Sequence, residues 1–366
     1  MRRETAALGF PDPSQSQGSG FWYPKWVNQT LYYGSMAVGN SIRYVVDAYY
    51  GQAGNDCRIL EDSLYYHIPP EFGLQEVDCL YDDHGPGNPN PQDLECFQYS
   101  VADAAPDCDD FVIIEFIYTN RGASTLDSLH SAIFCDFDIR SFSDNYGKTN
   151  QQLRTAYMQS SIGDEYPTVG IVYLGSKPQA QLPVANLSVI DRSQHTVWND
   201  SVMFLYMDGT YHYPQSNRQY DWQVVVSVGP FKLAPEESQH VAFAIVGGVS
   251  NDHYLENCRH AIEQYDTMWP AVVEKPPSGP YREIWVGPNP TRGRLTFNFT
   301  LSRSAPVIIT LFDLAGREVT DLFHRRVSMG EHSFTVALPE RISSGIYFLV
   351  IEVDQRYVIK KVILKK

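Results

Sequence analysis

Residues 110–120 read Asp110-Phe111-Val112-Ile113-Ile114-Glu115-Phe116-Ile117-Tyr118-Thr119-Asn120. Apolar side chains occupy both alternating sets of positions, which is typical of a central strand that is buried on both faces. Further apolar runs, bounded by Gly, Pro, Asn and Asp, predict strands at 129–139, 169–174, 202–207, 222–228 and 241–246. Because the runs do not alternate regularly with helices, we predict an all-β fold whose larger part, residues 21–273, is an antiparallel β-sandwich.

One helix is predicted near the end of this region. Ser250, Asn251 or Asp252 can cap its first turn. A single apolar stripe at alternating spacings of three and four residues predicts that one side faces the sheet, and it consists of Leu255, Cys258, Ile262, Tyr265 and Trp269.

Composition and charge divide the chain near residue 280. The 366 residues are 43% hydrophobic and carry a net charge of −15. Residues 281–366 nevertheless contain 13 Lys+Arg against 8 Asp+Glu, and all six cysteines precede them. Since prolines and a glycine interrupt regular structure at 274–281, we predict a linker there. The overall acidity argues against a nucleic-acid partner, and no apolar run approaches the roughly 20 residues of a membrane-spanning helix.

The region after the linker predicts a small β-sandwich. Leu295, Phe297 and Phe299 alternate with polar residues, as in a half-buried strand. Similar short runs follow at 307–312, 332–337, 346–353 and 356–364. Six or seven short strands in about 85 residues are typical of an immunoglobulin-like sandwich, which we predict for residues 282–366.

Five blocks in this region, in this order, resemble the type A C-terminal sorting domain of the type IX (Por) secretion system. They are 287–293, 307–317, 330–332, 344–349 and 360–366. In that family the domain carries its cargo across the outer membrane of certain Gram-negative bacteria. The resemblance implies a secreted or surface-attached protein and the type IX machinery as a partner. The residues that carry it are Pro288, Asn289, Pro290, Gly293, Asp313, Gly316, Gly330, His332, Gly345, Tyr347, Lys360 and Lys361.

The larger region is similar to β-rich segments of unknown activity that precede sorting domains in secreted bacterial proteins. The similarity lies in residues 31–40, 112–120, 134–139 and 229–233. Residues 1–20 begin Met1-Arg2-Arg3 but lack the apolar stretch of a secretory signal. We therefore expect them to be a flexible tail, in a cytoplasmic protein or in a fragment whose true start lies upstream.

Three motifs raise the question of catalysis or sugar binding. Ser35, in Gly-Ser-Met-Ala, echoes the nucleophile block of subtilisin-like proteases but lacks its Thr and any preceding Asp and His in a matching context. Glu115 is a carboxylate on an apolar strand and can be either a general acid or a satisfied buried group. Trp22, Tyr23 and Trp26 can stack on sugars or pack in the core. None of these forms a convincing catalytic set.

Two further predictions concern metal and sulfur. Asp136, Asp138, Asp144 and Asn145 can supply the oxygen ligands that Ca²⁺ requires, although their spacing is not that of an EF-hand. The sequence contains no Cys-x-x-Cys pair, so the cysteines do not indicate a zinc site or a redox site. Cys79 and Cys96 bracket a polar loop, so we predict a disulfide between them, with Cys57 or Cys108 as alternative partners.

Two functions fit the sequence. The first is an exported, non-catalytic surface or secreted β-sandwich protein: an adhesin, an appendage subunit or an accessory module with a protein or glycan partner. The alternative is the C-terminal portion of an exported protease or glycosidase whose catalytic domain lies upstream. We favour the first because the chain lacks a paired nucleophile and base.

Overall fold

A computed structural model of the protein describes residues 21, 23–24, 30–48, 56–60, 65–66, 73, 75–160, 166–177, 181–194, 199–268, 281–301, 304–313, 317–339, 341–353 and 356–365. The predicted tail at 1–20 lies outside these residues. So does the predicted linker at 274–281, except for Tyr281, which begins a strand.

The described chain consists mainly of antiparallel strands, with two α-helices among them. The strands are β1 Leu31–Ser41, β2 Tyr44–Asp47, β3 Arg58–Ile59, β4 Tyr65–Tyr66, β5 Gln75–Asp82, β6 Leu94–Ala102, β7 Phe111–Asn120, β8 Leu126–Phe137, β9 Asn145–Asn150, β10 Thr155–Ser160, β11 Thr168–Lys177, β12 Val184–Asp191, β13 Trp222–Leu233, β14 Ser238–Gly248, β15 Tyr281–Gly287, β16 Arg294–Leu301, β17 Ala305–Phe312, β18 Glu318–Val327, β19 Gly330–Ala337, β20 Gly345–Val353 and β21 Arg356–Leu364. The helices are α1 Asp200–Met207 and α2 Asn251–Met268. The predicted all-β class is confirmed.

The chain divides into two compact units. The larger unit covers residues 1–58, 72–74 and 80–272, and the smaller unit covers 59–71, 75–79 and 273–366. In the larger unit one sheet has the order β12-β13-β8-β1-β2, and a second includes the run β6-β7-β14-β11-β10-β9. The Tyr118 and Ser131 hydroxyls are 2.8 Å apart between these sheets, which therefore face each other across one core.

The predicted central strand is confirmed as β7. It lies between β6 and β14, and nearly all of its residues are buried. Helix α2 packs against β14, β11 and β7, and its buried face consists of Tyr254, Asn257, Cys258, Ala261 and Tyr265. The predicted stripe was therefore slightly displaced, since Leu255 and Ile262 are half-buried at the edge of this face.

The prediction of a strand at 202–207 was wrong, because this segment is helix α1. The Asn199 side chain accepts a hydrogen bond from Ser201 N (2.8 Å), which caps the first turn. Met203, Tyr206 and Met207 then lie buried on the face of the first sheet that points away from the second. A short apolar run fits a strand and a buried helix equally well, and here the N-cap and the burial against the sheet favour the helix.

The smaller unit is a two-sheet sandwich. One sheet has the order β15-β16-β19, and the other contains the run β18-β17-β20-β21. Strand β16 shows the strict alternation of buried and less buried residues that the sequence predicts, and burial alternates in the same way along β17. Their inward side chains, among them Phe297, Ile309 and Ile351 of β20, form one core between the sheets.

Candidate functional site

A group of polar side chains lies where three neighbouring strands of the larger unit meet at one end of the first sheet. Asp136 is near the end of β8 and Asp138 follows it, whereas Asp221 precedes β13 and Gln223 lies within it. Arg192 comes directly after β12. Because β13 pairs with both β12 and β8, and because residues two apart share a face, the fold brings these five side chains together. We call them the acidic cluster.

The acidic cluster is closely packed. Carboxylate oxygens of Asp136, Asp138 and Asp221 lie within 4.8 Å of one another. Arg192 Nη1 donates to Asp136 Oδ2 (3.1 Å) and to Asp221 Oδ2 (3.3 Å), and Gln223 Nε2 donates to Asp136 Oδ2 (3.2 Å). Three buried oxygens of the cluster accept no hydrogen bond from any described residue: Asp136 Oδ1, Asp221 Oδ1 and Gln223 Oε1.

Burial and mutual repulsion make this a costly place for negative charge. Burial, followed by the charge of Asp138, raises the pKa of Asp136 to about 8. Burial and the charge of Asp221 raise the pKa of Asp138 to about 6. Burial also raises the pKa of Asp221, against the opposing effect of Arg192. The arrangement can therefore bind a positive species, either a proton or a cation.

The structure brings together only part of the predicted calcium set. Asp136 and Asp138 are in the cluster, but Asp144 forms an ion pair with Arg140 (3.1 Å). Asn145 Oδ1 accepts from Ile139 N (3.1 Å), so its side chain closes the local turn. Asp221 and Gln223 were not predicted from the sequence, because their proximity to Asp136 depends on the pairing of β8 with β13.

Glu115 lies sealed between β7 and α2. Its exposed fraction is 0%. Tyr265 Oη of α2 donates to Glu115 Oε1 (3.1 Å), and His240 Nδ1 of β14 lies 3.2 Å from the same oxygen. This environment corresponds to a polar contact that attaches the helix to the sheet, not to a carboxylate at the wall of a cleft.

Ser35 is equally inaccessible. It lies buried within β1, its hydroxyl donates to Met36 O (2.7 Å), and Ala48 N donates to it (3.2 Å). A substrate carbonyl could not approach this oxygen without displacing the strand. The resemblance to a nucleophile block is thus confined to the sequence.

The disulfide between Cys79 and Cys96 stays a prediction. Both residues lie buried within strands, on β5 and β6, and not in the loop between them. Asp83 anchors that loop. Its carboxylate accepts hydrogen bonds from Tyr44 Oη (2.8 Å), Gln92 N (2.6 Å) and Leu94 N (3.2 Å).

In the smaller unit, several residues of the five blocks hold the fold together. Asn289 Nδ2 donates to Lys361 O (2.7 Å) and its Oδ1 accepts from Ile363 N (2.9 Å), so the first loop is fixed to the last strand. Pro288 and Pro290 flank this residue in the same loop. Asp313 accepts from both the backbone N (3.0 Å) and Nε (2.9 Å) of Arg317.

The other residues of the blocks occupy turns and the surface. Gly293 (φ +109°) and Gly330 (φ +119°) adopt the left-handed backbone that favours glycine. Tyr347, just after Gly345, donates through Oη to Ser343 O (2.9 Å). His332 lines a surface groove of about 560 Å³ together with Trp285 and Glu331. Lys361 is exposed, Lys360 is half-buried, and Gly316 lies outside the described residues.

Comparison with protein families decides what the smaller unit is. Residues 286–365 match the family described as "Secretion system C-terminal sorting domain". The smaller unit carries a type IX sorting domain. The predicted resemblance is confirmed, and the sorting domain identifies the chain as an exported protein that interacts with the type IX secretion machinery.

Other comparisons give distant likenesses. A search of curated proteins finds no match. Among solved structures, a polysaccharide lyase is 13% identical with a TM-score of 0.30, and the alignment covers 94% of this chain and 41% of the lyase. A Faecalibacterium prausnitzii β-glucuronidase is 11% identical with a TM-score of 0.21, at 66% and 47% coverage. The chain therefore spans less than half the length of either enzyme. Within the described residues, no helix is long and apolar enough to cross a membrane.

Proposed function

We propose that this protein is an exported, non-catalytic β-sandwich protein that acts by binding at the bacterial surface or in its surroundings, as an adhesin, an appendage subunit or an accessory module. The observation that supports this proposal best is that the chain carries a sorting domain, while the two candidate catalytic residues of its larger unit are buried. Glu115 and Ser35 are both fully buried and engaged with neighbouring groups. A catalytic group must reach its substrate within hydrogen-bond distance, directly or through one water molecule.

The partner in this proposal is a protein or a glycan. Tyr213 (42% exposed) and Tyr220 (37% exposed) present rings at the surface of the larger unit. The Arg218 guanidinium lies 4.6 Å from the centre of the Tyr220 ring. Exposed tyrosines suit recognition because one side chain supplies an apolar face and a polar end. Of the predicted aromatic group at the N-terminus, Tyr23 is buried, and Trp22 and Trp26 lie outside the described residues.

Removal of residues 281–366 should abolish export. The full chain and the truncated chain, each directed to the periplasm by an added signal peptide, would be expressed in a type IX-competent bacterium. We expect the full chain outside the cell and the truncated chain in the periplasm, because the machinery recognises the sorting domain. Retention of both chains in a host without type IX machinery is the control. Resistance of the retained larger unit to trypsin would exclude unfolding as the cause, and equal export of both chains would contradict the proposal.

The non-catalytic part of the proposal has its own test. Purified protein should release no product from panels of polysaccharide and peptide substrates, and Glu115→Gln should behave like the wild type. Product formation by the wild type that falls at least tenfold in Glu115→Gln would contradict this expectation, provided that circular dichroism shows the variant to be folded. It would then favour the hydrolase alternative.

A further inference from the structure

We propose that the acidic cluster is a calcium site in which Asp136, Asp138, Asp221 and Gln223 supply side-chain oxygens to one Ca²⁺ ion. The site lies in the larger unit and does not depend on the proposed function. It differs from the set that the sequence predicted, since it omits Asp144 and Asn145 and includes Asp221, which precedes β13, and Gln223 of β13.

The net charge of the acidic cluster favours a divalent cation. Three carboxylates and the single guanidinium of Arg192 leave a formal charge of −2 when all are ionised. Arg192 approaches the Oδ2 atoms of Asp136 and Asp221, so it neutralises one side of the cluster. Asp136 is 1% exposed, and water therefore screens its charge poorly. A divalent cation matches the charge that remains.

Three oxygen atoms of the acidic cluster also favour a bound ion. Asp136 Oδ1, Asp221 Oδ1 and Gln223 Oε1 are buried, and within the described part of the chain no group donates a hydrogen bond to them. Buried polar atoms without a partner are rare in folded proteins, and each requires an explanation such as an ion. Gln223 is itself 1% exposed, and its amide nitrogen is bonded to Asp136, which holds its carboxamide at the cluster. Because Gln223 is uncharged, its buried Oε1 atom supports a bound ion independently of the acidic residues.

The types of ligand atom in the acidic cluster favour a hard cation. Every candidate ligand is an oxygen, and carboxylates with an amide oxygen form the donor set of hard cations such as Ca²⁺ and Mg²⁺. The half-buried side chains of Asp138 and Asp221 leave a route for the ion and for the water molecules that complete its coordination. Ca²⁺ accepts six to eight ligands in flexible geometry, whereas Mg²⁺ demands a near-ideal octahedron. The candidate ligands come from β8, β13 and the residues next to these strands, and such a set suits the flexible geometry of Ca²⁺ better than an ideal octahedron of Mg²⁺.

Thermal unfolding and calorimetric titration of the full chain test this proposal. After treatment with EDTA and removal of the chelator, addition of millimolar CaCl₂ should raise the melting temperature of the larger unit by roughly 5 °C relative to NaCl of equal ionic strength. Titration should give one site per chain, with a Kd in the range of roughly 10⁻⁴–10⁻³ M found for extracellular modules. MgCl₂ should give a clearly smaller response.

Variants separate the site from general electrostatic effects. Asp138→Asn and Asp221→Asn lie at half-buried positions, so they should fold and should weaken Ca²⁺ binding on the order of tenfold or more. Asp144→Asn is the matched control, because it removes one negative charge nearby without touching the cluster, and its Ca²⁺ affinity should equal that of the wild type. The proposal is overturned if Ca²⁺ changes neither melting nor heat in the wild type, if Asp221→Asn binds Ca²⁺ undiminished, or if Mg²⁺ binds as tightly as Ca²⁺.

Discussion

Replacement of Asp83 by alanine should destabilise the larger unit by about 3–5 kcal/mol. The carboxylate accepts hydrogen bonds from the Tyr44 hydroxyl and from the backbone N–H groups of Gln92 and Leu94. Alanine would leave these donors without their acceptor in a largely buried place, and each unsatisfied buried donor costs about 1–3 kcal/mol. Chemical denaturation followed by tyrosine and tryptophan fluorescence would measure the loss.

The neighbouring Asp82 provides the matched control. Its carboxylate pairs with Arg58, whose side chain is about half exposed, and accepts a hydrogen bond from the backbone N of the exposed residue His84 (3.0 Å). Asp82 is thus bonded to groups that water can reach, and exposed ion pairs contribute at most about 1 kcal/mol. Asp82→Ala should therefore cost far less than Asp83→Ala. Comparable losses in both variants would show that the Asp83 network does not anchor the loop. A large effect of reducing agent on the wild type would point instead to a disulfide at Cys79 and Cys96.

The second large effect is the pH dependence that Asp56 creates. Asp56 is buried, and burial together with the charges of Asp200 and Asp83 raises its pKa to about 7, although a hydrogen bond from Asp47 N lowers it. In the unfolded chain its pKa is about 3.9. Between these values the folded state binds more protons, so the free energy of unfolding decreases as the pH rises. From about pH 4 to pH 7 this group alone should cost on the order of 3 kcal/mol.

Asp56→Asn removes this titration while keeping an oxygen that can accept from Asp47 N. The free energy of unfolding of the variant should therefore increase relative to that of the wild type as the pH rises from 4 to 7.

Asp191→Asn should show the opposite dependence of stability on pH. Burial raises the pKa of Asp191, but the hydrogen bonds from Ser193 and Arg218 lower it by a larger amount. The pKa of Asp191 therefore lies below its ordinary value. Its stabilisation is present at neutral pH and is lost in acid, so Asp191→Asn should cost stability at pH 7. A constant difference for Asp56→Asn would refute the prediction.

The sorting domain shows why some features could be read directly from the sequence. The alternation of apolar and polar residues in β16 reports which face of this strand is buried, because side chains alternate across a strand. The Asn289 block could be recognised as a motif, although its physical role could not be inferred. The structure shows that its carboxamide bonds the backbone at Lys361 and Ile363, more than 70 residues away.

The larger unit shows where local patterns mislead. Residues 202–207 read as a strand and form helix α1, since the cap at Asn199 and burial against the sheet decide between two conformations that suit an apolar run. From the sequence, the polar loop after β5 is predicted to be held by a disulfide. Asp83, an unremarkable residue in the sequence, supplies its anchor from the loop itself.

The sequence alone determined the all-β class, the central strand at 110–120 and the sorting domain, because periodicity and short motifs are properties of neighbouring residues. The tertiary structure alone decided the composition of the acidic cluster. Asp136 and Gln223 lie far apart in the chain, and the antiparallel pairing that aligns Val224 with Cys135 makes them neighbours. Strand register between distant segments depends on the burial of whole faces, and no local pattern specifies it.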